Sequence, residues 1–296
     1  MVFWPATPWK SMTVTTLNEA FAAAGAAAWG GLPFGELAED MTAAAVEQTE
    51  RLCPKPQTVL VAAFPYYAGE RDGNLSLYAR GPDYHQVVTT RLNTICNFLR
   101  ERYKNAAFLA AADNSPLPER QAAWRCGMGL RGKNGLVILP PYGSYVFLGT
   151  ILTDAALDLP KSQPSPGCMG CGKCLAACPG GALGEGGVDL SRCLSELTQK
   201  KGTLTGEEAA LVEAHPLIWG CDTCQKVCPY NASPALTPLS EFREGLVDSL
   251  WEEDLEGLTN RTFRKKYGDR AFAWRGPVPL RRNLTLQAAD GASRES

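Results

Sequence analysis

Eight cysteines between residues 168 and 228 constrain this chain more than any other feature. "CMGCGKCLAACPGG" (168–181) sets four of them at spacings of two, two and three residues with a proline after the last, and "CDTCQKVCPYN" (221–231) repeats the closing part of that pattern. Cys193 lies between the two stretches. The first run is the bacterial C-x2-C-x2-C-x3-C-P arrangement, in which three thiolates wrap one iron–sulfur cubane and the fourth, past a turn, serves another cluster. Reciprocal exchange then divides the eight into Cys168, Cys171, Cys174 with Cys228, and Cys178, Cys193, Cys221 with Cys224. The expectation is two 4Fe–4S clusters. Zinc also takes four-cysteine sites, but a zinc ribbon has no use for this run followed by a second x3-CP. Clusters that exchange ligands in this way lie on the order of 10 Å apart, by analogy with two-cluster ferredoxins. The carboxyl half is therefore expected to conduct electrons. Cys53, Cys96 and Cys126 fall outside these spacings and read as small buried hydrophobes.

The chain has 296 residues, 45% hydrophobic and 20% charged, which is a globular composition with room for two domains. No apolar run reaches the roughly 18 residues needed to span a bilayer, and no membrane association is expected. The opening "MVFWPATPWKSM" lacks the apolar core of a secretory signal. Residues 1–12 read as a peripheral extension, with Met1 and Met12 both possible starts. A cytoplasmic location is expected, and there cysteines at these spacings are metal ligands rather than disulfides. A net charge of −2 gives no general reason to expect nucleic acid. Locally, however, residues 261–282 carry eight Lys or Arg against Asp269 alone. That stretch is either a solvated basic face or a phosphate-contacting surface.

Alanine-rich residues 13–29 read as a helix, "TVLVAAFPYY" (58–67) as a buried strand and 84–103 as a helix with one buried face. "AAFLAAAD" (106–113) reads as a second strand and 117–128 as another helix. The segment from 127 to 154 reads as a glycine-rich loop and then two strands joined in a hairpin by a Pro-Tyr-Gly turn. Residues 13–158 are thus expected to form an α/β or α+β domain. The Pro/Ser-rich stretch 159–167 reads as a linker, 168–235 as a ferredoxin-like double-cluster domain, and 236–296 as a helical C-terminal segment. Within the last, "REGLVDSLWEEDLEGL" is the clearest amphipathic piece.

A plain ferredoxin needs only the cluster domain, and about 150 residues precede it here, so the electrons are expected to serve a site in the amino half. Candidate stretches are "YARGPDYH" (78–85), "ADNSPLPER" (112–120), "GLRGKNG" (129–135) and "YGSYVFLG" (142–149). Asp113, at the end of a strand, is either a general acid whose protonated form is favoured by desolvation or a turn-forming residue before "NSP".

Read in order with the cysteines, "YARGPDYH", the Asp-x-x-P of "DNSPLPER", "GLRGKN", "YGSYVFLGTILTD", "RCLSELTQKKG" and "IWGCDTCQKVCPYN" resemble the epoxyqueuosine reductases, from about residue 55 to 235. The resemblance implies a base-off cobalamin held between an amino domain similar to reductive dehalogenases and the ferredoxin-like domain. It implies a catalytic proton donor at Asp113. It places Lys133, Asn134, Val137, Gly143, Ser144, Tyr145 and Leu148 around the corrin, with Gln199 and Lys200 near it. The implied activity is reductive deoxygenation of epoxyqueuosine to queuosine in tRNA, fed by an external low-potential electron donor. The basic stretch 261–282 would contact the tRNA, and a monomer is expected. Two features depart from the family. The helical repeats that usually follow are absent here, and Leu130 stands where an aromatic residue is common. Alternatives are a dehalogenase-like reductase of a small molecule and an electron-transfer protein without a substrate of its own.

Overall fold

A computed structural model of the chain describes residues 12–160 and 163–294; the expected extension, apart from residue 12, lies outside the described residues. In the amino half, the elements are α1 (Met12–Ala23), β1 (Ala28–Pro33), α2 (Phe34–Ala38), α3 (Ala43–Leu52), β2 (Thr58–Pro65), α4 (Tyr84–Arg102), β3 (Phe108–Ala111), α5 (Glu119–Arg125), β4 (Leu130–Arg131), β5 (Val137–Ile138) and β6 (Val146–Thr153). The cluster region adds α6 (Lys173–Ala176), β7 (Leu183–Gly184), β8 (Gly187–Val188), α7 (Leu194–Gln199), α8 (Gly206–Glu213) and α9 (Thr223–Lys226). After it come α10 (Glu252–Leu255), α11 (Asn260–Tyr267) and α12 (Pro277–Arg294). None of the described helices is long and apolar enough to cross a membrane.

Four strands form one sheet in the order β1-β2-β6-β3, every pair antiparallel. All eight residues of β2 are buried, because successive side chains point to opposite faces and both faces are covered. Leu60, Ala62 and Phe64 pack with Val88, Leu92, Ile95 and Leu99 of α4 and with Leu17 and Phe21 of α1. Val59, Val61 and Ala63 pack with Leu32, Phe34, Leu37 and Ala122. The amino half is therefore an antiparallel sheet between helices, the α+β branch of the expectation.

Several expectations shift in detail. The first helix stops at Ala23, and Ala28–Pro33 is an edge strand instead of a continuation; Gly30 lies against Cys126 and Gly31 against Leu60, where a larger residue would not fit. The expected hairpin does not form. Val137 and Ile138 pair with Arg131 and Leu130, whereas β6 runs between β2 and β3. The helix expected over 117–128 spans Glu119–Arg125. "REGLVDSLWEEDLEGL" is helical only over Glu252–Leu255, because Leu250 and Leu255 fill a core with Leu75, Trp219 and Phe272 instead of lying along one helix face.

The cluster region and the tail are fastened to the sheet lobe. Residues of the expected linker dock on it: Ser165 N–H donates to the Trp124 carbonyl at 2.7 Å, and the Pro166 carbonyl accepts Arg131 N–H at 2.8 Å. Thr237 Oγ1 donates to the Pro65 carbonyl at 2.6 Å. Leu239 and Phe242 enter the α4 core. At the centre of the junction, buried Asn231 accepts Ser144 N–H at 2.8 Å and donates Nδ2 to Ser144 Oγ and to the Gln225 carbonyl, each at 2.8 Å. Replacing Asn231 by Ala should lower the unfolding free energy of the reconstituted protein by about 3 kcal/mol, because three buried hydrogen bonds are lost and the Ser144 N–H is left without a partner. Denaturant unfolding checks this, and Lys104→Ala at an exposed position should stay within about 0.5 kcal/mol of the parent.

Candidate active site

A cavity of about 380 Å³ lies where the sheet lobe meets the cluster region, within the range of small-molecule sites. Its wall is partly aromatic, with Tyr84 and Tyr66 each stacked on Phe147 at 4.3 Å between centroids. Cys178, Cys193, Cys221 and Cys224 form another part of the wall. A second hollow of about 1080 Å³ shares Asp113, Glu119 and Arg120 with it and forms its mouth. Cys168, Cys171, Cys174 and Cys228 line a separate small hollow with Lys133, Asn134 and Tyr230.

The division of eight thiols into two fours thus recurs in space. The reason is local: each C-x2-C-x3-C-P run makes one short helical turn, α6 or α9, that carries its cysteines on the loop and turn around it. All eleven cysteines are free thiols. Burial pushes the Cys224 thiol up to about 12, and the proximity of Cys221, Cys193 and Cys178 adds to the rise. Burial likewise raises Cys174, with Cys228 and Cys168 adding. Four thiolates that oppose one another's ionisation are stabilised together by a cationic metal core, so the donor set fits the two clusters. Among the described residues no three His, Cys, Asp or Glu side chains are grouped to hold a single metal ion.

The sites expected around a corrin fall into two sets. Asn134, Ser144 and Leu148 are on the cavity wall. Asn134 is 5% exposed, and its Nδ2 has no protein partner; a buried donor without an acceptor suits a ligand rimmed with carbonyls, which corrin amides are. Lys133 lies in the loop beside it and faces the mouth. Gly143 holds the turn before β6 at φ +62°, and the Asn231 amide occupies the space a side chain would need. Val137 and Tyr145 are buried in the core and are not on the wall. Gln199 and Lys200 are not on it either: Gln199 Oε1 accepts Trp274 Nε1–H at 3.1 Å, and Lys200 Nζ pairs with Glu208 at 2.7 Å.

Asp113 stands at the mouth in the left-handed region at φ 59°, a conformation that Asp tolerates better than most residues and that clusters at functional sites. Its N–H is held by Glu119 Oε1 at 2.9 Å, and its Oδ2 accepts Tyr84 Oη–H at 2.7 Å. His85 Nε2 lies 3.6 Å from the same oxygen, while its Nδ1 is 2.7 Å from Asp83. Burial opposes the charge on His85, but its bonds to Asp113 and Asp83 outweigh this and push it up to about 9. His85 and Tyr84 in turn hold Asp113 below the ordinary carboxylate range, against the effect of burial. This corrects the expectation of a carboxyl kept protonated by desolvation. The raised carboxyl is Glu119, pushed up to about 8 mainly by burial. His85, Tyr84 and Glu119 lie in the candidate stretches 78–85 and 112–120, but their roles follow from contacts made across the fold; the one signal for them in the sequence is that the chain has only two histidines.

The basic stretch is largely structural. Arg270 donates to the Gly245 carbonyl at 2.7 Å, Arg281 to that of Leu258 at 2.7 Å and Arg282 to that of Lys200 at 2.7 Å. Arg261, Arg264 and Lys265 on α11 are exposed.

A family model described as "4Fe-4S double cluster binding domain" matches residues 167–231, and one described as "Epoxyqueuosine reductase QueG, DUF1730" matches 47–113. An epoxyqueuosine reductase of Synechococcus sp. (strain RCC307) is 33% identical over 244 residues, covering 79% of this chain and 74% of that one. That of Listeria monocytogenes is 36% identical over 253 residues, covering 80% of this chain and 65% of the relative; the chain thus spans somewhat under two thirds of that relative's length. A crystal structure of epoxyqueuosine reductase with an epoxyqueuosine-modified tRNA-Tyr stem loop superposes with a TM-score of 0.80 at 28% identity, covering 94% of this chain and 81% of that one.

Because His85 is raised in the folded state, the stability its charge contributes is complete below about pH 6.5 and is lost as the pH rises through about 9. NMR of the reconstituted protein with ¹³C-labelled histidine should show one ring titrating near 9. In Asp113→Asn that midpoint should fall toward 6.5; a wild-type midpoint already at 6.5 would refute the carboxylate clamp.

Proposed function

The chain belongs to the epoxyqueuosine reductase family, and we propose on that premise that it deoxygenates epoxyqueuosine to queuosine in tRNA through a base-off cobalamin in the cavity between its two lobes. The observation that carries this reading is a single hollow with four cluster thiols in its wall and Asp113 at its mouth. The reaction takes two electrons and two protons, breaks the epoxide's two C–O bonds, and yields an alkene and water. The clusters supply single electrons, and the cofactor, when bound, supplies a strongly nucleophilic metal centre.

This chain's residues bind, orient and protonate. Asn134, Ser144 and Leu148 would hold the macrocycle, with Lys133 at its edge. The division of Cys168, Cys171, Cys174, Cys228 from Cys178, Cys193, Cys221, Cys224 puts the second set beside the cavity and the first toward the surface, where Cys171 is exposed. An external low-potential donor would approach that exposed side. Asp113 is the proposed catalytic acid. A substrate seated over it displaces water, which raises the carboxyl's pKa, and His85 at 3.6 Å is the cation that replenishes its proton. Glu119 fixes the Asp113 backbone through the bond to its N–H. Exposed Arg261, Arg264 and Lys265, together with Arg120 at the mouth, offer phosphate contacts. On this reading the protein would act as a monomer in the cytoplasm.

Nucleoside analysis of epoxyqueuosine-containing tRNA incubated with the reduced, cobalamin-loaded protein should show conversion to queuosine; unchanged epoxyqueuosine would overturn the substrate assignment. Asp113→Asn should slow turnover about 100-fold or more while iron content and corrin absorbance persist. A rate equal to that of the parent would remove Asp113 as the acid.

A further inference from the structure

The turn after α8 buries His215, 6% exposed, against the thiols nearest the cavity. Its Nε2 lies 3.4 Å from Cys221 Sγ. Its Nδ1 faces the Leu217 backbone, 3.3 Å from the N–H and 3.5 Å from the carbonyl; with the shorter contact made, Nδ1 accepts and the ring proton of the neutral imidazole is on Nε2. A cluster-bound thiolate has no hydrogen of its own, so the contact is Nε2–H donating to sulfur. The His215 backbone is tied down: its carbonyl accepts Gln287 Nε2–H at 2.6 Å, and its N–H donates to the Val212 carbonyl at 3.3 Å. Thus α12 and α8 both brace the donor.

We propose that His215 sets the reduction potential of the cavity-side cluster, its Nε2–H donating to Cys221 Sγ and stabilising the reduced state. The proposal rests on the reading that Cys178, Cys193, Cys221 and Cys224 hold one cluster. Reduction places added negative charge partly on the sulfurs, and hydrogen bonds to the sulfurs are among the factors that set cluster potentials. Ala182 N–H, 3.2 Å from Cys178 Sγ, and Thr223 Oγ1, 3.4 Å from Cys221 Sγ, lie at the same four thiols. The His215 contact comes from a side chain that is not itself a ligand and can be removed without altering one. Its effect is to favour residence of the electron at the cluster beside the cavity.

EPR-monitored redox titration of the anaerobically reconstituted protein tests this. His215→Phe should lower one cluster's reduced-to-oxidised ratio about tenfold at a given potential, a fall of about 59 mV in a one-electron midpoint, and leave the other unmoved. His215→Gln, which keeps an N–H at similar reach, should restore most of the loss. Unmoved midpoints in His215→Phe, or equal shifts of both, would overturn the proposal. A second measurement needs no His215 variant: pulsed EPR of reduced protein labelled with ¹⁵N-histidine should show a nitrogen coupling that survives His85→Gln, and its absence refutes the contact. Wild-type protein quantifying to fewer than two clusters would instead sink the ligand assignment, and the proposal with it, before any variant is compared.

Discussion

The knot of hydrogen bonds on Ser144 joins electron supply to chemistry. Gln225 and Asn231 sit on the turns that the second cysteine run produces, and both bond to Ser144 at the start of β6. Gln225 also donates to Tyr66 Oη at 3.2 Å, where β2 leaves the sheet. All of these groups are buried, and a fully satisfied buried network is stiff because breaking any one bond strands its partner away from water. Gly143 permits the closeness, since the Asn231 amide lies where a Cβ would be. Four thiols can form the wall of a cavity in another lobe only if that lobe is held at a set distance.

Around the cavity, charge is arranged by position. At the mouth, one cationic imidazole stands between Asp83 and Asp113, and a carboxyl with a raised pKa, Glu119, fixes the backbone of the lower one. Two neighbouring carboxyls with pKa values pushed apart is a pattern by which acid and base roles are assigned. At the other wall, a backbone N–H of Ala182 donates to Cys178 Sγ, and His215 Nε2 lies 3.4 Å from Cys221 Sγ.

Parts of this were legible because they depend on short-range spacing. The cysteine runs prescribe turns, and the two fours follow from the reciprocal exchange that two such runs make in two-cluster ferredoxins. β2 shows as a continuous apolar run and α4 in the helical period of its apolar residues, and the cores on the two faces of the sheet agree with both. β1 was hidden, since "AWGGLP" has weak strand propensity and is a strand only because β2 offers an edge. The misread hairpin has the same origin: Val146–Thr153 is a strand by composition, but its choice of β2 and β3 over Val137–Ile138 is made by pairing across 80 or more residues in one case. Asp113 was legible as a candidate, whereas its ionised state was not, because Tyr84 and His85 lie more than 25 residues away in the chain.

The sequence by itself determined the spacing of eight cysteines, a buried strand and the acidic residue at the end of a strand, since each depends on residue type and short-range spacing. Only the tertiary structure decided which wall those thiols face, and which carboxyl has its pKa raised and which has it lowered. Those outcomes depend on distances of a few ångströms between segments far apart in the chain, and on the burial that makes such distances count.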